Sequence, residues 1–379
     1  MIKKILYILL FPLIGYSQTA FHNYGDVQIH TDGQIGFHTN LVNDGNFDDN
    51  VGFAGFYHDT ETLTVSGDNR TVFYNSEIDV ANNLELYTAM GIDNELSFVN
   101  GKVITPRNDL NVSLDFINYN LYAGEDNNRH VDGYASILEN SDFTFPIGDD
   151  DRLRIMSISD YDSNNLFQGA YFYENPDFPS TFSTNFTTTE KYYLIDIVSN
   201  YEFWDLNADS QTTVTLTWDE FSNIELISPD LDSLIVVGWS IKNNRWENLG
   251  NTNISGNFSE GEISSAPFIP NEYEVITFGS ITYKSNIFLI SPNGDEYNQT
   301  LVFDELLENP FSELYIFNRW GNIVFHRKNY ANDFDGTSDG RATVLKDKKL
   351  PVGTYFYELK YGRTENLDQE MRGWIYINR

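Results

Sequence analysis

Short pairs of apolar residues, separated by turns, recur along the first third of the chain. In the pairs Leu63 and Val65, and Leu84 and Leu86, one polar residue separates two apolar ones. This alternation places both apolar side chains on one face of a short strand. Turn residues such as the Asn-Asp-Gly-Asn of positions 43–46 separate the strands. The pattern predicts a β-solenoid over residues 18–140, in which stacked turns bury a shared core. The repeat is not strict, so a β-sandwich is the alternative.

The predicted strands become longer over residues 141–283. In the run Thr213–Trp218, Val214, Leu216 and Trp218 alternate with three threonines. One face of this strand is therefore apolar and the other polar, which is typical of an antiparallel sheet with one buried face. Several such strands, separated by turns, predict a central β-sandwich.

The last part of the chain also has a strand pattern. Residues 314–317 (Leu-Tyr-Ile-Phe) and 323–325 (Ile-Val-Phe) flank a turn and predict a hairpin, and further strands are predicted near 352–357 and 374–377. No long window has a helical period, and residues 303–307 are the best candidate for one helical turn. The sequence therefore predicts an all-β protein.

The N-terminal residues have the pattern of a secretory signal peptide. Lys3 and Lys4 precede an apolar run over residues 5–14, and small residues precede a cleavage position between Ser17 and Gln18. The apolar run is much shorter than the ~20 residues needed to cross a membrane. We expect residues 1–17 to be a signal peptide that directs the chain out of the cytoplasm, and we expect no transmembrane span.

The charge of the chain excludes some classes of partner. Lys and Arg number 23 against 56 Asp and Glu, a net charge of −33, and nearly all of the excess lies in residues 18–285. Nucleic-acid binding draws its affinity from Lys and Arg, so we expect no nucleic-acid partner. The chain has no Cys, which excludes disulfides, thiolate metal sites and cysteine nucleophiles.

Candidate chemistry is sparse. Asp205, Asn207 and Asp209 offer oxygen ligands at alternate positions, as at the start of a calcium loop, although Ser210 and Leu216 stand where such loops have Gly and Glu. The alternative is an acidic turn. Calcium is the one cofactor that the sequence brings into consideration, because it would relieve the repulsion among the acidic residues. No catalytic motif is recognisable, so we expect no enzyme.

Five ordered motifs lie between residue 291 and the last residue. They are Ser-Pro-Asn-Gly-Asp at 291–295, Ile-Phe-Asn-Arg-Trp-Gly-Asn at 316–322, Asp-Gly-Thr at 335–337, Leu-Pro-x-Gly-Thr-Tyr-Phe-Tyr at 350–357 and Ile-Tyr-Ile-Asn-Arg at 375–379. These motifs resemble the gliding-motility-associated C-terminal domain family, also called the type B sorting domain of the type IX secretion system of Bacteroidota. The residues that carry the resemblance are Pro292, Asn293, Gly294, Asp295, Asn318, Arg319, Trp320, Gly321, Asp335, Gly336, Gly353, Thr354 and Tyr355.

The resemblance implies an Ig-like β-sandwich over residues 286–379 that acts as an export signal. It implies recognition by the type IX secretion translocon, often with a dedicated outer-membrane β-barrel partner, and a location at the cell surface or outside the cell. Asn293 and Asp295 are further calcium candidates. Glu296 and Gln299 depart from the usual Gly and Asn-Asp of the family at this loop, which weakens the calcium assignment.

Together these features predict a secreted or cell-surface interaction protein, adhesin-like, whose glycan or protein ligand the sequence does not identify. One alternative is a secreted glycan-binding or carbohydrate-active β-solenoid, since solenoid grooves with acidic and aromatic side chains suit polysaccharides. Another is a structural subunit that assembles with copies of itself.

Overall fold

The computed structural model describes residues 19–118, 120–138, 142–159, 165–281, 287–295, 297–307, 309–340, 346–367 and 369–379. The predicted signal peptide, residues 1–17, lies outside the described residues, as do the predicted domain boundaries at 140–141 and 283–286. The chain divides into two compact units, one up to residue 282 and one from residue 283. No helix in the described part of the chain has the length and apolar character needed to cross a membrane.

The first part of the larger unit is a β-solenoid of about six turns, as the sequence predicted. Its strands are β1 (Ala20–Asn23), β2 (Gln34–Phe37), β3 (Asn40–Asn43), β4 (Phe53–His58), β5 (Leu63–Ser66), β6 (Thr71–Val80), β7 (Leu84–Leu86), β8 (Met90–Asn100), β9 (Val103–Ile104), β10 (Leu114–Ile117), β11 (Leu121–Ala123), β12 (Val131–Asp132) and β13 (Ala135–Leu138). Apart from β11, which pairs with β8, successive strands alternate between two parallel sheets, β1-β3-β5-β7-β9-β12 and β2-β4-β6-β8-β10-β13. Each turn of the chain thus adds one strand to each sheet.

Buried asparagines and tight glycine turns hold neighbouring turns of the solenoid together. The Asn43 side chain is fully buried, accepts a hydrogen bond from Asn23 Nδ2 (2.8 Å) and donates to the carbonyl of Asn69 (3.2 Å). Gly101 has a φ of +73°, and a Cβ there would lie 1.9 Å from the carbonyl oxygen of Val80. Only Gly allows such a close approach of one turn to the next. The frequent Asn and Gly of this region therefore serve the stacking.

The second part of the larger unit is mainly antiparallel. Its strands are β14 (Phe143–Phe145), β15 (Ile147–Asp149), β16 (Arg152–Leu153), β17 (Met156–Ser159), β18 (Leu166–Phe172), β19 (Ile195–Val198), β20 (Phe203–Asn207), β21 (Thr213–Trp218), β22 (Leu234–Ser240), β23 (Arg245–Gly250), β24 (Asn253–Gly256), β25 (Gly261–Ser264) and β26 (Tyr273–Ile281). Strand β18 pairs antiparallel with β13, so the second solenoid sheet continues as β18-β20-β26-β22-β23. A separate sheet, β14-β17-β21-β25-β24, forms the other layer.

One apolar core runs through both parts of this unit. It joins solenoid residues such as Phe56 and Leu96 to central residues such as Leu216 and Phe278. Strand β22 is buried along its whole length: Val236 faces this core, while Val237 belongs to a second core on the opposite side of the sheet. The long sheet and the main core thus cross the predicted boundary between residues 140 and 141.

The C-terminal unit has its own apolar core and one five-stranded sheet. Its strands are β27 (Ile287–Ile290), β28 (Phe311–Phe317), β29 (Ile323–Lys328), β30 (Gly353–Gly362) and β31 (Gln369–Ile377), in the order β27-β31-β30-β28-β29. The remaining helical elements of the described chain are short: one α-helical turn (Ile224–Ile227) and the 3₁₀ turns Glu220–Ser222, Leu231–Ser233, Pro270–Glu272 and Asp304–Leu307. The last confirms the helical turn that the sequence predicted near residues 303–307. The all-β fold class is likewise confirmed.

Candidate functional site

In the strands that contain the sorting motifs, every second side chain is part of the core of the C-terminal unit. On β28, Leu314 and Ile316 are buried, and on β30, Tyr355 and Tyr357 are buried. Ile375 on β31 is fully buried as well. The intervening residues of the same strands point to the opposite face of the sheet, because side chains alternate along a strand. The strands of the sorting motifs therefore form both faces of the sheet: an inner face that packs into the core and an outer face on the opposite side.

The outer face of this sheet carries an aromatic and aliphatic row. Ile287, Trp374, Phe356 and Phe317 are aligned in register across β27, β31, β30 and β28. Ile287 is 65% exposed and Trp374 is 48% exposed, and the rings of Phe356 and Trp374 lie 4.2 Å apart, centre to centre.

The next positions extend this row. Leu289 pairs with Tyr376, and both side chains are exposed. We call these six residues the apolar end: Ile287, Leu289, Phe317, Phe356, Trp374 and Tyr376. An exposed apolar surface of this kind is unusual on a monomer and is typical of a contact surface.

The other half of the same face is charged. Glu358 on β30 contacts Arg372 Nε and Lys360 Nζ, each at 3.2 Å. Glu313 on β28 contacts His326 Nε2 at 2.7 Å and Lys328 Nζ at 3.9 Å. We call these six residues the charged end: Glu313, His326, Lys328, Glu358, Lys360 and Arg372. The outer face is thus divided into an apolar half and a half of paired charges.

Two sorting motifs that are distant in sequence meet at a groove of about 380 Å³. It is lined by Asn318, Arg319 and Trp320 of the β28–β29 turn and by residues 350–355. Asn318 Oδ1 accepts hydrogen bonds from the backbone N–H groups of Trp320 and Asn322, each at 3.0 Å. Gly321, with a φ of +77°, completes the turn. This geometry holds Trp320 73% exposed, with the Arg319 guanidinium 4.8 Å from its ring centre.

The opening motif forms a loop closed by Gln299. Its Nε2 atom donates to Asn293 Oδ1 (3.1 Å), to Asp295 Oδ1 (2.9 Å) and to the carbonyl oxygens of Ser291 and Tyr297. The oxygens that would bind calcium therefore surround an amide nitrogen. A backbone hydrogen bond from Tyr297 is the largest of the interactions that lower the pKa of Asp295. The calcium assignment of Asn293 and Asp295 stays a prediction.

The remaining sorting residues also occupy turns. Gly294, between the two calcium candidates, has a φ of +89°, and the preceding Pro292 is half-buried. Gly336 has a φ of +77°, and the adjacent Asp335 accepts a hydrogen bond from Lys349 Nζ at 2.6 Å. Burial acts to raise the pKa of Asp335, but this bond, together with Thr337, lowers it overall.

The calcium candidates of the larger unit lie on and after strand β20. Asp205 is only 6% exposed; its Oδ2 accepts a hydrogen bond from the Tyr134 hydroxyl (2.5 Å) and its Oδ1 one from Asn207 Nδ2 (2.9 Å). Asp209 is exposed and accepts a hydrogen bond from Asn271 Nδ2 (2.7 Å). Asp205 and Asn207 thus sit on an extended strand, and both Asp205 oxygens already accept hydrogen bonds from protein donors. Their calcium role, too, stays a prediction.

The Asp205 carboxyl makes the stability of the larger unit depend on pH. Burial raises its pKa to about 6 from 3.8, although Tyr134 and Asn207 act in the opposite direction. The folded state therefore holds this proton more tightly than the unfolded state, and the stabilisation is complete below pH 3.8 and lost as the pH rises through 6. We expect a loss of about 2 kcal/mol from this group between pH 4 and pH 7.

Urea unfolding at a series of pH values measures this loss. Asp205→Asn should remove that part of the pH dependence. Asp209, an exposed residue just after strand β20, provides the control, and Asp209→Asn should retain the pH dependence. Identical pH profiles for the wild type and Asp205→Asn would contradict the assignment.

The apolar end was not predictable from the sequence. Trp374, Tyr376 and Phe356 alternate with buried aromatic and aliphatic residues, so both faces of β30 and β31 are apolar in the sequence. The motif residues could be recognised in the sequence, but the pattern of apolar residues does not distinguish the inner face of the sheet from the outer face.

The C-terminal unit is similar to a known protein family. Residues 283–377 match the CHU_C Type IX secretion signal domain. The match confirms the predicted C-terminal sorting domain and supports export of the chain by the type IX secretion system, to the cell surface or beyond it. Among curated proteins and among solved structures, no match to the chain is found.

Proposed function

We propose that this chain is a secreted or cell-surface interaction protein, adhesin-like, which the type IX secretion system exports through its C-terminal unit. The observation that carries the proposal is that the family match over residues 283–377 coincides with a compact unit that has its own core. Residues 1–17 act as the signal peptide that brings the chain to the periplasm. The translocon, with a dedicated outer-membrane β-barrel partner, then recognises the C-terminal unit.

The outer face of the C-terminal sheet supports a specific role in this recognition. The apolar end offers exposed aromatic side chains of the kind that dominate binding energy at protein interfaces. The charged end consists of paired side chains, which contribute little affinity at an exposed surface. In this proposal the apolar end, together with Trp320 at the neighbouring groove, is the surface that the secretion machinery contacts.

Truncation tests whether the C-terminal unit is needed for export. We expect the full chain to become accessible to protease added to intact cells, and a chain ending at Ser285 to stay protected in the periplasm. Equal accessibility of the two chains would contradict the proposal.

Ligand binding, in this proposal, belongs to the larger unit, and the protein is not an enzyme. The alternative of a glycan-binding protein is favoured by one observation, a cavity of about 550 Å³ beside Asp205 that has aromatic and polar walls. A carbohydrate-active enzyme would need two carboxyl groups on either side of a bound sugar.

A further inference from the structure

We propose that the cavity beside Asp205 binds a neutral polyhydroxylated ligand, such as one or two units of a neutral glycan. The inference rests on the proposed function, in which the larger unit carries the ligand site. The cavity has a volume of about 550 Å³ and forms where strands β20 and β26 meet the segments around Arg107, Tyr134 and Phe182. That volume is within the range of small-molecule sites.

The floor of the cavity is polar and held in place. Tyr134 is 3% exposed, and its hydroxyl is bonded to Asp205 Oδ2, while Asn207 is bonded to Asp205 Oδ1. Asn271 Oδ1 accepts a hydrogen bond from the backbone N–H of Ala208 (2.9 Å), which fixes the neighbouring amide. Each carboxylate oxygen has a second lone pair, and each amide has a second N–H and a further acceptor lone pair beyond the bonds that it already makes. These groups match hydroxyls, which both donate and accept.

The walls of the cavity are aromatic and aliphatic. Phe182 and Tyr273 are half-buried, and Ile241 is 48% exposed. Phe182 packs against Phe172 and Phe203 at ring-centre distances of 5.3 and 5.8 Å, which fixes its orientation. The apolar C–H face of a sugar ring fits such a surface, while its hydroxyls reach the polar floor.

The charge of the cavity excludes acidic ligands. Among the described residues that line it, Arg107 is the one cation, and it already contacts Asp132 (2.6 Å) and Asp149 (3.0 Å). Asp205 and Glu274, which also line the cavity, have no cation there to balance them among the described residues. A phosphate, sulfate or uronic acid would therefore meet net negative charge. The negative charge would attract a cationic amine. A protonated amine has no hydrogen-bond acceptor, however, so the N–H groups of Asn207 and Asn271 would find no partner on it.

Calorimetric titration of the full chain tests this proposal. The probes are neutral hexasaccharides of glucose, mannose, xylose and N-acetylglucosamine, with an acidic hexagalacturonate and the amine spermidine for comparison. We expect at least one neutral oligosaccharide to bind and the hexagalacturonate not to bind. Glu274→Gln, which keeps the shape of the side chain, and Phe182→Ala should each weaken binding about tenfold.

Phe178→Ala is the matched control, because Phe178 lies in the same segment, is 77% exposed and does not line the cavity. It should leave affinity unchanged. Thermal unfolding of each variant separates lost binding from lost folding. The proposal is overturned if no neutral oligosaccharide binds, if only spermidine or the acid binds, or if binding survives Glu274→Gln and Phe182→Ala. Because purified protein is used, these outcomes leave the export proposal untouched.

Discussion

Replacing Arg154 with Met is expected to lower the free energy of unfolding of the larger unit by about 3–5 kcal/mol. Arg154 is 3% exposed and Glu202 is fully buried, and Arg154 Nε lies 3.2 Å from Glu202 Oε2. The Tyr171 hydroxyl donates to the same Glu202 oxygen at 2.5 Å. Removing the guanidinium leaves a buried carboxylate without its cation, and this is far more costly than removing both charges.

Urea unfolding of the full chain, followed by tryptophan fluorescence, measures this effect. The double variant Arg154→Met with Glu202→Gln should recover a large part of the loss, because Gln removes the charge and keeps an acceptor for Tyr171. Arg70→Met is the matched control: Arg70 is half-exposed, contacts Asp115 at 3.1 Å, and should cost no more than about 1 kcal/mol. Equal losses for Arg154→Met and Arg70→Met would refute the buried-pair account.

Removing the aromatic side chains of the apolar end is expected to reduce export about tenfold or more. The change is Trp374→Thr with Tyr376→Thr, which keeps a residue of high β-propensity at both positions. Both side chains are on the outer face of β31 and outside the core, so the C-terminal unit should still fold. The expected loss is therefore a loss of contact with the secretion machinery.

The control for this experiment lies on the same face of the sheet. Glu358→Thr with Lys360→Thr removes two side chains of the charged end from the adjacent strand β30. We expect this variant to be exported like the wild type, as measured by protease accessibility on intact cells. Thermal unfolding of both purified variants checks that they fold. If the two variants lose export to the same degree, the apolar end is not the recognised surface.

Local patterns were sufficient to predict much of this fold. Alternation over Thr213–Trp218 predicted a strand with one buried face, and Val214, Leu216 and Trp218 are indeed buried. The short pairs such as Leu63 and Val65 predicted stacked solenoid strands, because a period of two is a property of neighbouring residues. Such predictions need no knowledge of which strands are partners.

Features that depend on distant partners were not predictable. Leu234–Ser240 is buried on both faces because a second core covers the far side of the sheet, and its sequence does not say what lies there. The sequence pattern around Asp205 relates it only to nearby residues, whereas its hydrogen bond to Tyr134 spans 71 residues. The contact between Arg154 and Glu202 likewise depends on which strands are neighbours in the sheet, and the sequence pattern does not give that order.

In our proposal, the C-terminal unit carries the information for export. The decisive experiment is a fusion of residues 1–17, a reporter protein that normally stays in the periplasm, and residues 283–379. Protease accessibility of the reporter is measured on intact cells that have a type IX secretion system and on matched cells that lack it. We expect the reporter to become accessible only in the cells that have the secretion system. A reporter that stays protected in both, while the full chain is exported, would contradict it.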